Sequence, residues 1–371
     1  MNDYITVKKE KPEIWLALVE AGLVIGLLWL IGRYAKAYAI IQALHMGSQR
    51  TTFRYSVIMF GLVFGLSFLF SEVELKVKMY IWYLKANEEM VAIRKSALEN
   101  SLAVTRYEEY KKYFKRYALL KSIVSSIFAA ISVVIANLLG GRSPLTDYFI
   151  IFVLLSILSI PLWKWVTSKS GRYLDDILLK ECDPRTAFDI LELRRQLVTD
   201  PEMMKDQYQL QMISANYMQE WDTVELLYRK MKDLNKTDND RLCVMFYLAL
   251  SYLTADNEEK YREVLDEIRE MEMSDRLKQP DQDYAYDIRA HLDMIEKLRK
   301  GKYDETLPIL KMRMEKMKDK PGRMELLYYM GQVQLALGDK EQAEWNLRQV
   351  KEQAGTMAVQ KQAVELLSVM S

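Results

Sequence analysis

The sequence predicts an all-α chain in two parts, a four-helix transmembrane region followed by a cytosolic α-solenoid of helix pairs. Three observations carry this expectation. Only 14 Gly and 8 Pro in 371 residues leave few positions that break helices. Four long apolar runs crowd the first half, and a recurring register of apolar residues fills the second.

Charge divides the chain at the same place. The whole carries +1, but residues 1–171 hold 21 Lys and Arg against 12 Asp and Glu, whereas residues 172–371 hold 31 against 39. Opposite signs in two halves suggest two environments. A basic first half suits anionic lipid. An acidic second half has no electrostatic footprint for nucleic acid. The boundaries are therefore a membrane domain at 1–171, with a cytosolic amphipathic insert at 72–121, and a repeat domain at 172–371.

The apolar runs are 14–32, 55–71, 122–141 and 148–163. Crossing a bilayer core takes about 20 residues of helix, so each is long enough, the second barely. The first run exceeds a signal-peptide core, and Arg33 and Lys36 stand before the nearest cleavage-like site, Ala37-Tyr38-Ala39. With the N-terminus inside, 18 basic residues fall on the inner side and 5 on the outer, which favours that orientation. The expected location is thus the cytoplasmic membrane of a bacterium, both termini in the cytosol.

Gly22 and Gly26 in the first run, and Gly61 and Gly65 in the second, form two G-x-x-x-G motifs. Glycines four apart let helix backbones approach, either within the chain or between two copies in a homo-oligomer. Glu20 is the ionisable residue inside a run; it is either functional or reaches the interface. In the insert, Met79, Tyr83, Ala86, Met90, Ile93 and Ala97 recur at helical spacing, as do Ala103, Tyr107, Tyr110, Phe114 and Tyr117, with a break near Asn100-Ser101.

The second half repeats. Ala187, Val224, Tyr261, Thr306 and Ala343 align at spacings of 37, 37, 45 and 37, and the polar stretch 274–283 accounts for the long interval. Four residues after each anchor stand Leu191, Tyr228, Leu265, Leu310 and Leu347, and a helical run precedes each of the last four anchors. In the final unit Leu327, Met330, Gly331, Leu337-Gly338-Asp339, Ala343, Leu347 and Val350 follow a large-small-turn-small-large order. On these residues the second half resembles the tetratricopeptide repeat (TPR). It departs from that family in its longer period, in Met212 and Met294 at small positions of first helices, and in Val, Tyr or Thr at the small position of three second helices. The resemblance implies a concave groove that binds a protein or peptide. In the family register Gln209, Asn216, Phe246, His291, Tyr328 and Gln332 would face that groove. A final helix over 357–370 suits a capping role.

Motifs of catalysis are missing. His45 and His291 lie in different halves, the two cysteines Cys182 and Cys243 have no neighbouring His, and no phosphate-binding or dinucleotide glycine pattern occurs. No cofactor or metal is implied, and the chain is not expected to be an enzyme. The leading expectation is a membrane-anchored adaptor or scaffold that binds a protein through its TPR-like domain. The alternative is a small membrane transport or signalling component regulated by the repeats.

Overall fold

The computed structural model describes residues 4–8, 22, 90–112, 173–196, 201–232, 234, 237–273, 277 and 279–370. Strand β1 (Tyr4–Lys8) pairs antiparallel with β2 (Met90–Arg94), Ile5 opposite Ile93 and Val7 opposite Val91. Helix α1 (Lys95–Glu99) follows β2, and α2 spans residues 101–112. After a π-helical turn at Asp176–Lys180 come α3 (Pro184–Arg194), α4 (Pro201–Tyr217), α5 (Trp221–Met231), α6 (Asp238–Thr254) and α7 (Glu258–Met273). Then follow α8 (Gln279–Arg299), α9 (Tyr303–Lys316), α10 (Lys320–Ala336), α11 (Lys340–Gln353) and α12 (Ala358–Met370).

The fold corrects the expected architecture in two ways. Among the described residues no helix is long and apolar enough to cross a membrane, so neither the four-helix transmembrane region nor an integral-membrane location is supported. The most apolar long helix, α6, has 17 residues and charges its first turn with Asp238, Asp240 and Arg241. At 1.5 Å per residue it spans roughly 25 Å, short of a bilayer core of about 30 Å. The longest, α8, has 21 residues, but Asp281, Asp287, Arg289, Asp293 and Lys297 interrupt it. The four apolar runs lie outside the described residues, as do Gly26, Gly61 and Gly65. Gly22 alone is described; it is helical and exposed, with open space where a Cβ would stand.

The second correction is the strand. The helical stripe expected from Met79 to Ala97 gives way at 90–94 to β2, where β-branched Val91 and Ile93 meet Val7 and Ile5 across the ribbon. Residues 79–89, Phe114 and Tyr117 lie outside the described part. The helices break at Asn100, which is extended (φ −76°, ψ 93°). Its side-chain oxygen accepts from the Ala103 amide at 3.1 Å, capping α2.

One turn recurs through the second half and sets its geometry. Each of the five aligned residues is the fourth residue of its helix, α3, α5, α7, α9 or α11, and all five are buried. Five positions before each stands a left-handed residue: Cys182, Gln219, Asp256, Gly301 and Gly338, with φ between 56° and 86°. The residue after it donates to a carbonyl five residues back in four cases: Glu220 to Ala215, Asn257 to Tyr252, Lys302 to Lys297 and Asp339 to Gln334. These bonds close the preceding helix and reverse the chain. At Cys182 the bond reaches six residues, from the Asp183 amide to the Ile177 carbonyl, because the helix there ends in a π-turn. Asp183, Asn257 and Asp339 then cap the next helix by accepting from amides three residues on.

Glu220 occupies the same capping position but reaches elsewhere. It accepts from Arg94 at 2.8 Å and from Arg185 at 2.6 Å. Arg94 also donates to Thr223 (2.6 Å) and stacks over Phe188 at 4.8 Å. The ribbon and α1 are held on α3 by this network, together with a hydrogen bond from Asn100 to Asp189 at 2.8 Å.

The two ends of the helical repeat meet. Thr356 donates its amide to the Cys182 carbonyl (3.1 Å) and its hydroxyl to Asp183 (2.7 Å), and that hydroxyl accepts from the Arg185 amide. A Cβ on Gly355 would stand 2.3 Å from the Cys182 carbonyl oxygen, so the approach requires glycine. Gln219 and Gln362 exchange side-chain amide bonds nearby, the shorter at 2.8 Å. Around this joint Cys182, Met324, Leu347, Val350, Ala354 and Met357 form one buried cluster.

Two glycine substitutions separate the turn from the joint. Gly338→Ala places a Cβ in open space and costs only the left-handed backbone, roughly 1 kcal/mol. Gly355→Ala adds that strain and also drives the joint apart, so its melting temperature is expected to fall well below that of Gly338→Ala. Equal melting temperatures would contradict the joint.

Candidate functional site

The first helices of the four complete pairs, α4, α6, α8 and α10, share one register position. Gln209, Phe246, His291 and Tyr328 each lie ten residues before the left-handed turn of their pair. Within this row the Phe246 and His291 rings meet edge to face at 5.3 Å, while Gln209 donates to the Cys243 thiol of the next pair at 3.1 Å. Gln332 donates to the Tyr328 hydroxyl at 2.8 Å. Asn216 differs: it is buried, and its side-chain oxygen has no partner.

Tyr217, Tyr247, His291, Glu325 and Tyr329, from α4, α6, α8 and α10, are half-buried. A pocket of roughly 460 Å³ is lined by Trp221, Tyr303, Tyr328, Tyr329, Gln332 and Gln362 among others, so Tyr329 is the one of these five that reaches it. Gln362 places α12 and the joint at its rim.

The electrostatics of these side chains follow from burial. His291 is pushed down to about 3, by burial first and by the Arg313 guanidinium second. Arg313 donates toward its Nδ1 at 3.3 Å, which leaves the imidazole neutral with Nδ1 as acceptor. Glu325 is pushed up to about 8, chiefly by burial and further by the negative charge of Asp319. Asp319 is itself raised by burial, and its Oδ2 is buried without a partner. Burial also raises Tyr217, Tyr247 and Tyr329, and the Glu325 charge adds to each. Cys182 and Cys243 are free thiols, both raised by burial, Cys182 to about 11, so neither is poised as a nucleophile. Among the described residues no group of three His, Cys, Asp or Glu side chains is placed to hold a metal ion.

Sequence reasoning named the Gln209–Tyr328 row and Gln332 but missed Tyr247, Tyr329, Glu325, Trp221 and Gln362. Tyr247 and Tyr329 stand one position after Phe246 and Tyr328, so their signal was present in the same register. Glu325 stands between Met324 and Leu326, a lone acid in an apolar stripe. Trp221 and Gln362 carried no sequence signal, because their place depends on closure of the two ends. In comparisons with known proteins, no protein-family model, curated protein or solved structure matches the chain.

The raised carboxyl has a stability consequence with a definite sign. An unfolded Glu loses its proton near pH 4.3, whereas folded Glu325 keeps it to about 8. The stability that comes with the protonated side chain is full below the unfolded value and is lost as pH rises through the folded one. Glu325→Gln removes this loss. The melting temperature of the variant relative to the native chain is expected to climb between pH 5.5 and 8.5. A difference that does not change with pH would refute the assignment.

Proposed function

We propose that the chain is a protein-interaction module in which residues 172–371, a TPR-like helical repeat, hold a segment of a partner protein at the pocket beside Tyr328 and Gln332. The observation that carries this reading is the shared register. Four successive pairs carry Gln209, Phe246, His291 and Tyr328 at the same position of their first helix, and Tyr328 lines a pocket with aromatic walls. Stacked helix pairs commonly present such inner surfaces to extended segments.

The composition of the repeat agrees with binding rather than catalysis. Its one histidine is held neutral and far from titration near pH 7, and its thiols are raised. A general acid–base pair or an activated nucleophile needs the opposite tuning. In this reading the chain is an adaptor or scaffold. Its amide and aromatic side chains supply adaptable hydrogen bonds and stiff contact area.

A photo-crosslinking amino acid tests the reading in the full chain. Placed at Gln332, in the pocket wall, it is expected to give a discrete adduct with a protein partner. Placed at Trp345, 57% exposed on α11, it is expected to give none. Equal adducts from the two positions, or none from Gln332, would count against an interior binding surface.

A further inference from the structure

The pocket between the two ends of the repeat is walled by neutral groups with hydrogen bonds to give. Trp221, Tyr303, Tyr328 and Tyr329 line it, and neither the indole N–H nor any of the three phenol protons has an acceptor among the described residues. The Tyr328 oxygen accepts from Gln332 at 2.8 Å, which leaves its own proton to donate. Free acceptors are scarcer. No acidic residue among those described lines the pocket, and its cation, Arg299, is paired with Asp256. The Thr254 hydroxyl already donates to the carbonyls of Leu250 and Ser251, at 2.6 and 3.1 Å. The turns that close α4, α6 and α8 occupy the carbonyls of Ala215, Tyr252 and Lys297. Gln219 and Gln362 use their side-chain oxygens on each other.

The group that completes such a wall brings acceptors and apolar rings, and few donors. An ordinary extended segment carries one N–H for each carbonyl, and those N–H groups would meet other donors. A charged side chain would find no free counter-charge. Proline removes the donor and keeps the carbonyl. A run of prolines also holds the polyproline II form, whose carbonyls have no partners of their own. Aromatic walls suit that form, because its rings pack against them without further ordering of the chain. Here the Tyr328 and Tyr329 rings stand 5.8 Å apart with planes 55° from parallel, so they present angled faces rather than a closed stack. One turn of polyproline II is three residues and about 9 Å long. The pocket, at roughly 460 Å³, has room for it.

We infer that the pocket takes a proline-rich segment of the partner in the polyproline II form, its rings against Trp221, Tyr303 and Tyr329 and its carbonyls accepting from their N–H and O–H groups. This rests on the interaction reading above and names the chemistry of the segment held.

Fluorescence anisotropy on the full chain tests the inference with three labelled octapeptides: all-L proline, all-D proline and alternating Gly-Ser. All-L proline is expected to bind, and the other two at least tenfold more weakly. The D peptide has the same composition in the mirror-image helix, so it separates fit from general adhesion. Tyr329→Phe keeps the ring and removes a donor; it is expected to weaken all-L proline about three- to tenfold, the worth of one neutral hydrogen bond. Tyr286→Phe, at a phenol 59% exposed on α8 and outside this pocket, should leave it unchanged. The peptide comparison uses the native chain, so it decides even where a variant folds poorly. Equal binding of the D or Gly-Ser peptide would overturn the inference, as would equal effects of the two tyrosine variants. A partner cross-linked at Gln332 without any preference for all-L proline leaves the interaction surface standing and removes the proline chemistry. If no peptide binds and no adduct forms, both fall.

Discussion

The hydrogen bond from the Thr356 amide to the Cys182 carbonyl joins residues 174 positions apart, and the inner surface of the repeat depends on it. A row of stacked helix pairs has no intrinsic reason to enclose anything; each pair contacts its neighbours and the array can stay open. Here Gly355 lets one backbone approach another more closely than a Cβ would allow. Thr356 places its hydroxyl between an acceptor, Asp183, and a donor, the Arg185 amide, so its polar atoms are satisfied at the contact. The same segment delivers α12 and Gln362 to the rim of the pocket. Closure brings Gln219 and Gln362, from the two ends of the repeat, into the wall of one pocket.

Burial then shapes the chemistry, and the carboxyl of Glu325, the phenols of Tyr217, Tyr247 and Tyr329 and the imidazole of His291 all shift toward neutrality. His291 has a second reason, since Arg313 lies against it. Glu325 has no such neighbour of opposite sign, and Asp319 works in the same direction as burial.

The repeat itself was legible because its signal is local. An anchor at the fourth position of a helix must be buried, and five such positions recur at a near-constant interval. Two of the five left-handed turn residues, Gly301 and Gly338, announce themselves as glycines; Cys182, Gln219 and Asp256 adopt the same backbone without that sign. The ribbon was not legible, because MVAIR is short enough to fit a helical stripe. What selects a strand is its partner at Tyr4–Lys8, more than 80 residues away. Closure was equally hidden: nothing in the spacing of residues 354–362 points to Cys182 or Gln219. The apolar runs expected to span a membrane lie outside the described residues, and among those described no helix is long and apolar enough to cross one. The helices that the structure describes are amphipathic, with their apolar faces turned on one another.

The central claim is that the two ends of the repeat are joined in solution, and one distance tests it. Spin labels attached by non-cysteine chemistry at Lys180 and Glu352, both exposed and on opposite sides of the joint, report the gap directly by pulsed electron paramagnetic resonance. The structure predicts a single narrow distribution at short range in the native chain. A broad or long distribution would mean an open array of helix pairs, with the two ends apart and the pocket wall incomplete.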